Sequence, residues 1–493
     1  MRSWNSTNTA NLTVFVASVE LNKLDPLMLP LFSFLTLAQF NGVIPPPPPP
    51  LQEQVVQPQE VRPLPGQLDK VPVFNSNSPE VIQTPGILLS SFPNSGKIFP
   101  NAHLNWSFVG RFDLFAHHIA RSGTIPGDWR PLYLGVIVYN PGNLPVTLDI
   151  LQAVSYVTNP DAPFIDLPPQ VDNATGKVFS GPGSRLATDI LRGVHQKNFP
   201  SQLVIPPRQS RMLFNLPIAI GNARSTFMRL RSNRPVYMAS LAMVAQLAAE
   251  LEFDPDDFMP LLLFPPPSYR PPNLQEWQQL LVNGNLAGQR DLMPTPPNQN
   301  NENIVYGRVA GVAQGSVWRT EVVDRPGARD LSIPKSGQAF SYPLSTFNMV
   351  TLGTGQVQSA PMLVRYPDTA YRAHGNYGVL YSLTLPLLNN TGEPQTVTLA
   401  IQTPDKQENR RNELHFLEPP DGPVFFRGTV QVSYNDDLGI PKTIYLHLEQ
   451  RRGEQGKPLV VLNLPPGDRR LVKVEFIYPP DAQPPQALTI RTL

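Results

Sequence analysis

The chain is 493 residues long, carries 59 prolines and no cysteine, and sets 39 basic against 38 acidic side chains for a formal net charge of +1. Without cysteine, disulfides, thiolate zinc sites, iron–sulfur clusters and cysteine nucleophiles are excluded, and so balanced a charge provides no field to gather a polyanion, so no nucleic acid partner is expected. Proline removes a backbone donor and fixes φ, which favours short strands and turns over long helices.

Residues 1–39 read as a leader. Met28 to Ala38 is an apolar run of signal-peptide length, too short to span a bilayer, and Thr36 and Ala38 put small residues where a signal peptidase cuts. Export follows as the expectation, with no transmembrane span. Residues 40–66 read as a proline-rich, disordered linker. Pro45 to Pro50 are six consecutive prolines, followed by Pro58, Pro63 and Pro65, a composition that prefers polyproline II at about 3 Å per residue.

A first β module is expected over 67–259. Val136, Val138, Val146, Leu148 and Ile150 lie in short apolar runs broken by Asn140-Pro141-Gly142-Asn143, where glycine can take positive φ. Further strands are predicted at Gln202 to Ile205, Arg211 to Leu216 and Pro235 to Val244. A short helix interrupts them, with Ser184 as its N-cap, Leu186, Ile190 and Leu191 on one face and Gly193 at C′. The segment 260–300 reads as a connector. Pro265 to Pro267 and Pro271-Pro272 precede a helix over 273–283, in which Asn273 caps, Glu276 takes the third helical position, and Leu274, Trp277 and Leu281 share a face before Gly284. That stripe is expected to pack on one or both modules as a bracket. The second module, 301–493, has the clearest period-two signals: Val397, Leu399 and Ile401, then Val430, Val432 and Tyr434, then Val472, Val474 and Phe476.

One strand-and-turn grammar occurs twice. LYLGVIVYNPGNLPVTLDI (132 to 150) is followed by IPPRQSRML (205 to 213), and LYSLTLPLLNNTGEPQTVTLAI (380 to 401) by LPPGDRRLV (464 to 472). Both carry Leu-Tyr, an Asn-x-Gly turn, a proline and Val-Thr-Leu. The fold class is therefore all-β and mainly antiparallel, with two related β-sandwich-like modules and one or two short helices after a proline-rich disordered segment.

Familiar catalytic patterns fail. There is no Gly-x-Ser-x-Gly elbow, His-Glu-x-x-His helix or Walker loop. Gly353-Thr354-Gly355 reads as a tight turn, and Ser332 to Lys335 matches a Ser-x-x-Lys pattern only by letter. His117 and His118 point to opposite faces of a strand and cannot share a metal, so one buried and one exposed histidine is expected. Asp254 to Asp257 and Asn435 to Asp437 supply too few spaced oxygens for calcium and read as turns. Glycines at 307, 311 and 315 fit softened strand and turn. No cofactor or metal is expected. The best recognition surface is the loop Arg365 to Tyr377: Tyr366, Tyr371 and Tyr377 could stack on a sugar or a partner, and Asp368, Arg372, His374 and Asn376 offer directional hydrogen bonds.

The stretches EVRPLPGQLDKVPVFNSNSPEVIQTPGILLSSF (60 to 92), GRFDLFAHHIAR (110 to 121), AHGNYGVLYSLTLPLLNNTGEPQTVTLAIQTP (373 to 404) and LNLPPGDRRLVKVEFIYPPDAQPPQALTIRTL (462 to 493) resemble a cyanobacterial family known as domain of unknown function thirty-three seventy. The resemblance implies an exported cell-envelope protein and carries over no catalytic residue. The expected function is non-enzymatic binding or scaffolding in the envelope, with envelope polysaccharide or another envelope protein as partner. The alternative is a carbohydrate-active hydrolase using paired carboxylates in a cleft.

Overall fold

The computed structural model is 47% strand and 6% helix, as so proline-rich a chain requires. The structure describes residues 51–121, 128–248, 268–299, 303–406, 408 and 412–493. The expected signal segment 28–39, the proline run 45–50, the turn 254–257 and prolines 265–267 lie outside the described residues. No helix among the described residues is long and apolar enough to cross a membrane.

The repeated grammar builds the same corner twice. In the first copy, strands Leu132–Tyr139 and Val146–Val157 meet at Asn140, and Ser210–Ile218 and Gln202–Ile205 return antiparallel to them. In the second, Leu380–Leu388 and Gln395–Gln402 meet at Asn389, with Arg469–Ile477 and Val460–Leu464 returning. Register identifies the equivalent positions. Tyr139 faces Ser210 as Leu388 faces Arg469, and Val146 faces Ile205 as Gln395 faces Leu464. Asn389 is therefore the counterpart of Asn140, and the second Val-Thr-Leu stands two residues beyond the first. A slip of two preserves which face each side chain takes, whereas a slip of one would invert it.

The corner is held by its asparagine. Asn140 Nδ2 donates to the carbonyls of Leu144, Ile205 and Pro206 at 2.8, 3.0 and 3.1 Å, and its Oδ1 accepts from the Gly142 amide at 2.9 Å. Asn389 Nδ2 donates to Glu393, Leu464 and Pro465 at 2.8, 2.8 and 3.1 Å, and its Oδ1 accepts from Thr391 at 3.0 Å. The conserved geometry explains the Pro-Pro pairs: a carbonyl just before or on the first proline is what the amide reads.

In the first copy the long strand Ala223–Val244 spans the corner, pairing with Val146–Val157 through Ser232 and with Leu132–Tyr139 from Tyr237. In the second copy the corner divides between a seven-stranded and a five-stranded sheet, whose inward residues Leu383, Leu385, Val397, Leu399, Val430, Val472 and Ile490 form one buried cluster. Each such side chain contributes about 1.5–3 kcal/mol on burial.

The two copies are not separate bodies. Strand Pro72–Ser76 pairs parallel with Phe108–Ala120 on one side and antiparallel with Ala310–Gln314 on the other, so the first sheet continues into the segment expected to open the second module. The last part of the expected linker is also sheet: Glu53–Pro58 pairs with Glu413–Glu418, and Glu60–Val61 with Phe340 and Ser341. Gln52–Leu493 forms one compact unit. Prolines at 58, 63 and 65 do not prevent this, because Pro58 is the last residue of its strand and Pro63 and Pro65 lie beyond Glu60–Val61, where a missing donor breaks no ladder.

Two helices carry the remaining contacts. Helix α1 (Pro182–Leu191) begins earlier than Ser184 suggested: Gly181, at φ +84°, is the N-cap and Pro182 occupies the first turn, the arrangement that proline's missing donor favours. Ser184 sits inside the first turn. Leu186, Ala187 and Ile190 pack with Val154, Tyr156 and Phe227 of the first copy and Ile477 of the second, while Thr188 Oγ1 lies 2.7 Å from Thr429 Oγ1. Helix α2 (Leu274–Asn283) has the full capping box, Asn273 Oδ1 accepting from the Glu276 amide at 3.0 Å and Glu276 Oε2 accepting from Asn273 N at 2.6 Å. Trp277 and Leu281 are buried against Ile87, Phe92, Ile137 and Leu241, all of the first copy. The bracket between copies is thus α1, not α2. Gly135 makes room for Trp277, since a Cβ there would stand 2.6 Å from the indole.

Candidate functional site

The loop 365–377 turns most of its recognition groups into the fold. Tyr366 is fully buried; its hydroxyl accepts from the Ser90 amide at 2.9 Å and donates to the Ala102 carbonyl at 2.7 Å. Burial pushes its pKa above the usual phenol range. The Arg365 guanidinium covers the Tyr371 ring at 3.7 Å and donates to the carbonyls of Tyr366, Pro367 and Thr369, closing the loop on itself. Asp368 accepts from Arg290 Nε at 2.7 Å. Asn376, at φ +48°, accepts from the Ala360 amide at 3.0 Å and donates to Gln358 O at 2.9 Å. The Tyr377 hydroxyl donates to Ala482 O at 3.1 Å. His374 lies edge-on to Tyr306 at 4.8 Å, and desolvation, with the Arg372 charge adding to it, lowers its pKa to about 4. Arg372 is exposed while one nitrogen donates to Ser359 O at 3.2 Å. Tyr366 is therefore closed to a stacking ligand, and one face of the half-buried Tyr371 ring is covered by Arg365.

His117 and His118 are both buried, 8% and 0% exposed, which corrects the expectation of one exposed ring. Their strand is flanked on both edges and covered on both faces. His117 Nδ1 lies 2.8 Å from Ser225 Oγ and His118 Nδ1 2.8 Å from Pro79 O. Desolvation lowers their pKa values to about 3 and about 4. They face different partners. Among the described residues no group of three His, Cys, Asp or Glu is placed to hold a metal. Asp436 is a turn residue, its Oδ1 accepting from the amides of Leu438 and Ile440 at 3.0 and 2.9 Å. Gly353 and Gly355 take φ +79° and +69° in a turn, and Ala310–Gln314 carries Gly311 in a strand.

A roomier site lies elsewhere. A groove of about 580 Å³ opens between Pro58 to Arg62 on one side and Asp324 and Ser332 to Phe340 on the other, with Asn412 also lining it. That volume is in the range of ligand-holding clefts. On one wall the Arg62 guanidinium rests 4.1 Å over the Phe340 ring and 2.6 Å from Glu60 Oε2. On the other, Asp324 accepts from Ser332 through both its amide, at 2.9 Å, and its hydroxyl, at 2.7 Å. Lys335 and Gln338 stand exposed beside them. The wall thus presents a planar cation, a free-standing ammonium, two fixed carboxylates and side-chain amides. Its residues come from three separated stretches, one of them read as linker, so no local motif announces it. The only sequence signal was Ser332 to Lys335, which has no catalytic context but does line the groove.

Two strand-corner copies, a fused sheet and a polar groove define an all-β, mainly antiparallel architecture. The chain belongs to the family described as Protein of unknown function (DUF3370), whose model matches residues 59–492. No curated protein matches it. Among solved structures, one titled "11S globulin from Wrightia tinctoria reveals auxin binding site" is 11% identical, with 89% of this chain and 83% of that one covered, at a TM-score of 0.09. A score that low supports no argument about fold or ligand.

Proposed function

We propose that this is an exported, non-enzymatic cell-envelope protein that binds or scaffolds through its β body, and that the groove at Arg62 and Lys335 takes envelope polysaccharide. The observation that carries the reading is the groove wall itself. Sugar hydroxyls are held by fixed side-chain donors and acceptors lying close together, and Glu60, Arg62, Asp324, Gln59, Gln338 and Asn412 provide both kinds within one cleft. Ion pairing of Glu60 to Arg62 and hydrogen bonding of Asp324 to Ser332 hold those groups in place before a ligand arrives, which lowers the entropy lost on binding. Export rests on the apolar run Met28 to Ala38.

A glycan array probed with the purified chain, paired with cell fractionation and N-terminal sequencing, tests both parts. Binding to envelope-type glycans and recovery of a processed chain outside the cytoplasm are expected. An array blank under several salt conditions, or unprocessed chain in the cytosol, would overturn the binding or the export part respectively.

A further inference from the structure

Asp113 lies in the middle of strand Phe108–Ala120 and is 0% exposed. One carboxylate oxygen is paired with Arg111, while the other, Oδ2, has no partner within hydrogen-bond distance, although the Ser316 hydroxyl also interacts with this carboxyl and lines the same void. Asn75, on the neighbouring parallel strand Pro72–Ser76, is 5% exposed, and its Oδ1 has no partner either. Register sets Val73 opposite Asp113, so Val73, Asn75 and Asp113 share one face of the sheet. Both unpartnered acceptors belong to residues that line a void of about 10 Å³, which Ser316, Asn376 and Gly378 also line.

Buried acceptors are ordinarily satisfied, and two orphans at one void call for a donor between them. The space is about that of one water molecule. Charge decides what fills it. Arg111 pairs with Asp113, and Arg229 stands directly across the strand pair from it, so two guanidinium groups already face one carboxylate. A further cation would meet repulsion, and an anion would meet two acceptor oxygens. A neutral molecule with two O–H donors fits both constraints.

We infer that this void is a built-in site for a single ordered water, donating one hydrogen bond to Asp113 Oδ2 and one to Asn75 Oδ1. The water fills the gap between the first-copy sheet and the turn 376–378, and so fixes the end of the loop that the sequence marked out for recognition.

A crystal structure at a resolution that shows ordered water tests this, with a second crystal grown in rubidium chloride in place of the sodium salt. One peak about 2.7–3.2 Å from both oxygens, without rubidium anomalous signal, is expected. An empty void or a rubidium peak overturns the inference. In Asn75→Leu, which removes one acceptor and fills the space, the peak is expected to vanish; its persistence would also overturn the assignment.

Discussion

The Asp481 carboxylate accepts a hydrogen bond from the Ser184 amide at 3.2 Å, so a residue of the second copy caps the first turn of α1, a helix embedded in the first. The approach is close enough that a Cβ on Gly183 would stand 2.4 Å from Pro480 Cγ and 2.6 Å from Asp481 Oδ2. The orphan amides of a helix start and a buried carboxylate satisfy each other here. At about pH 4, where its contribution is still in place, Asp481→Ala is expected to lower unfolding stability by about 1–2 kcal/mol, the usual cost of losing a cap, measured by urea denaturation. Asp481→Asn keeps an acceptor and tests the charge. Burial pushes the Asp481 pKa up to about 6, so whatever stability this group contributes is complete below the unfolded value and lost as pH rises through about 6. The Asn variant should therefore gain on the wild type between pH 4.5 and pH 8, by on the order of 2 kcal/mol. A difference that does not change with pH would contradict the buried, raised carboxyl.

Asn140 and Asn389 make matching sets of bonds in the two corners. Replacing either by Ala leaves carbonyls at a buried corner without their donor, a loss of about 1–3 kcal/mol. The two asparagines share no hydrogen-bond partner, so the double variant should lose the sum of the single losses. Chemical denaturation of the two single variants and the double variant checks this, and a silent single variant would show that its corner is held by other contacts.

The buried histidines set the acid limit. His117 and His118 have folded pKa values lowered to about 3 and about 4, so the folded state binds fewer protons than the unfolded one and its stability is present above the ordinary histidine pKa and lost as pH falls through the folded values. Each contributes on the order of 3 kcal/mol of loss across that window. Stability followed by fluorescence should fall steeply between pH 6.5 and pH 4. A flat profile over that range would show the rings to be solvated, or His117 to be held as an ion pair by Glu80, whose Oε1 lies 4.0 Å from its Nε2.

Lys406 offers a chemical readout. Its ammonium lies 5.1 Å from the Phe425 ring centre and 5.6 Å from that of Phe347, and desolvation, with Arg452 adding to it, lowers its pKa to about 8. More of its amine is neutral at pH 8 than in an exposed lysine. Pulse acetylation with mass-spectrometric mapping should modify Lys406 ahead of exposed Lys335 when corrected for access in the unfolded chain, with a rate that levels off above about pH 8.

The parts of this fold governed by local rules could be read from the sequence. The capping box at Asn273 and Glu276, the stripe through Trp277 and Leu281, the Asn140 turn and the period-two runs around Val397, Val430 and Val472 each depend on residues close together in the chain. Pairing across long separations could not be read, and Pro72–Ser76 beside Ala310–Gln314 is the example that fuses the two copies. Composition misled at 53–61, where prolines and polar residues suggested a linker but edge pairing made strands. At the loop 365–377 the sequence leaves open which way each side chain turns. Tyrosine in a polar stretch has the same letters whether its hydroxyl meets a ligand or, as at Tyr366, pins the backbone at Ser90 and Ala102.

Co-sedimentation with purified peptidoglycan sacculi and with extracellular polysaccharide, comparing the wild type with an Arg62→Ala/Lys335→Ala variant, tests the groove most directly. Wild-type protein should pellet with at least one of these polymers, and the double variant should bind at least tenfold more weakly, about 1.4 kcal/mol, while unfolding at the same denaturant concentration. Equal binding by the two proteins, or binding by neither, would contradict the assignment of this groove as the place where the protein meets its partner.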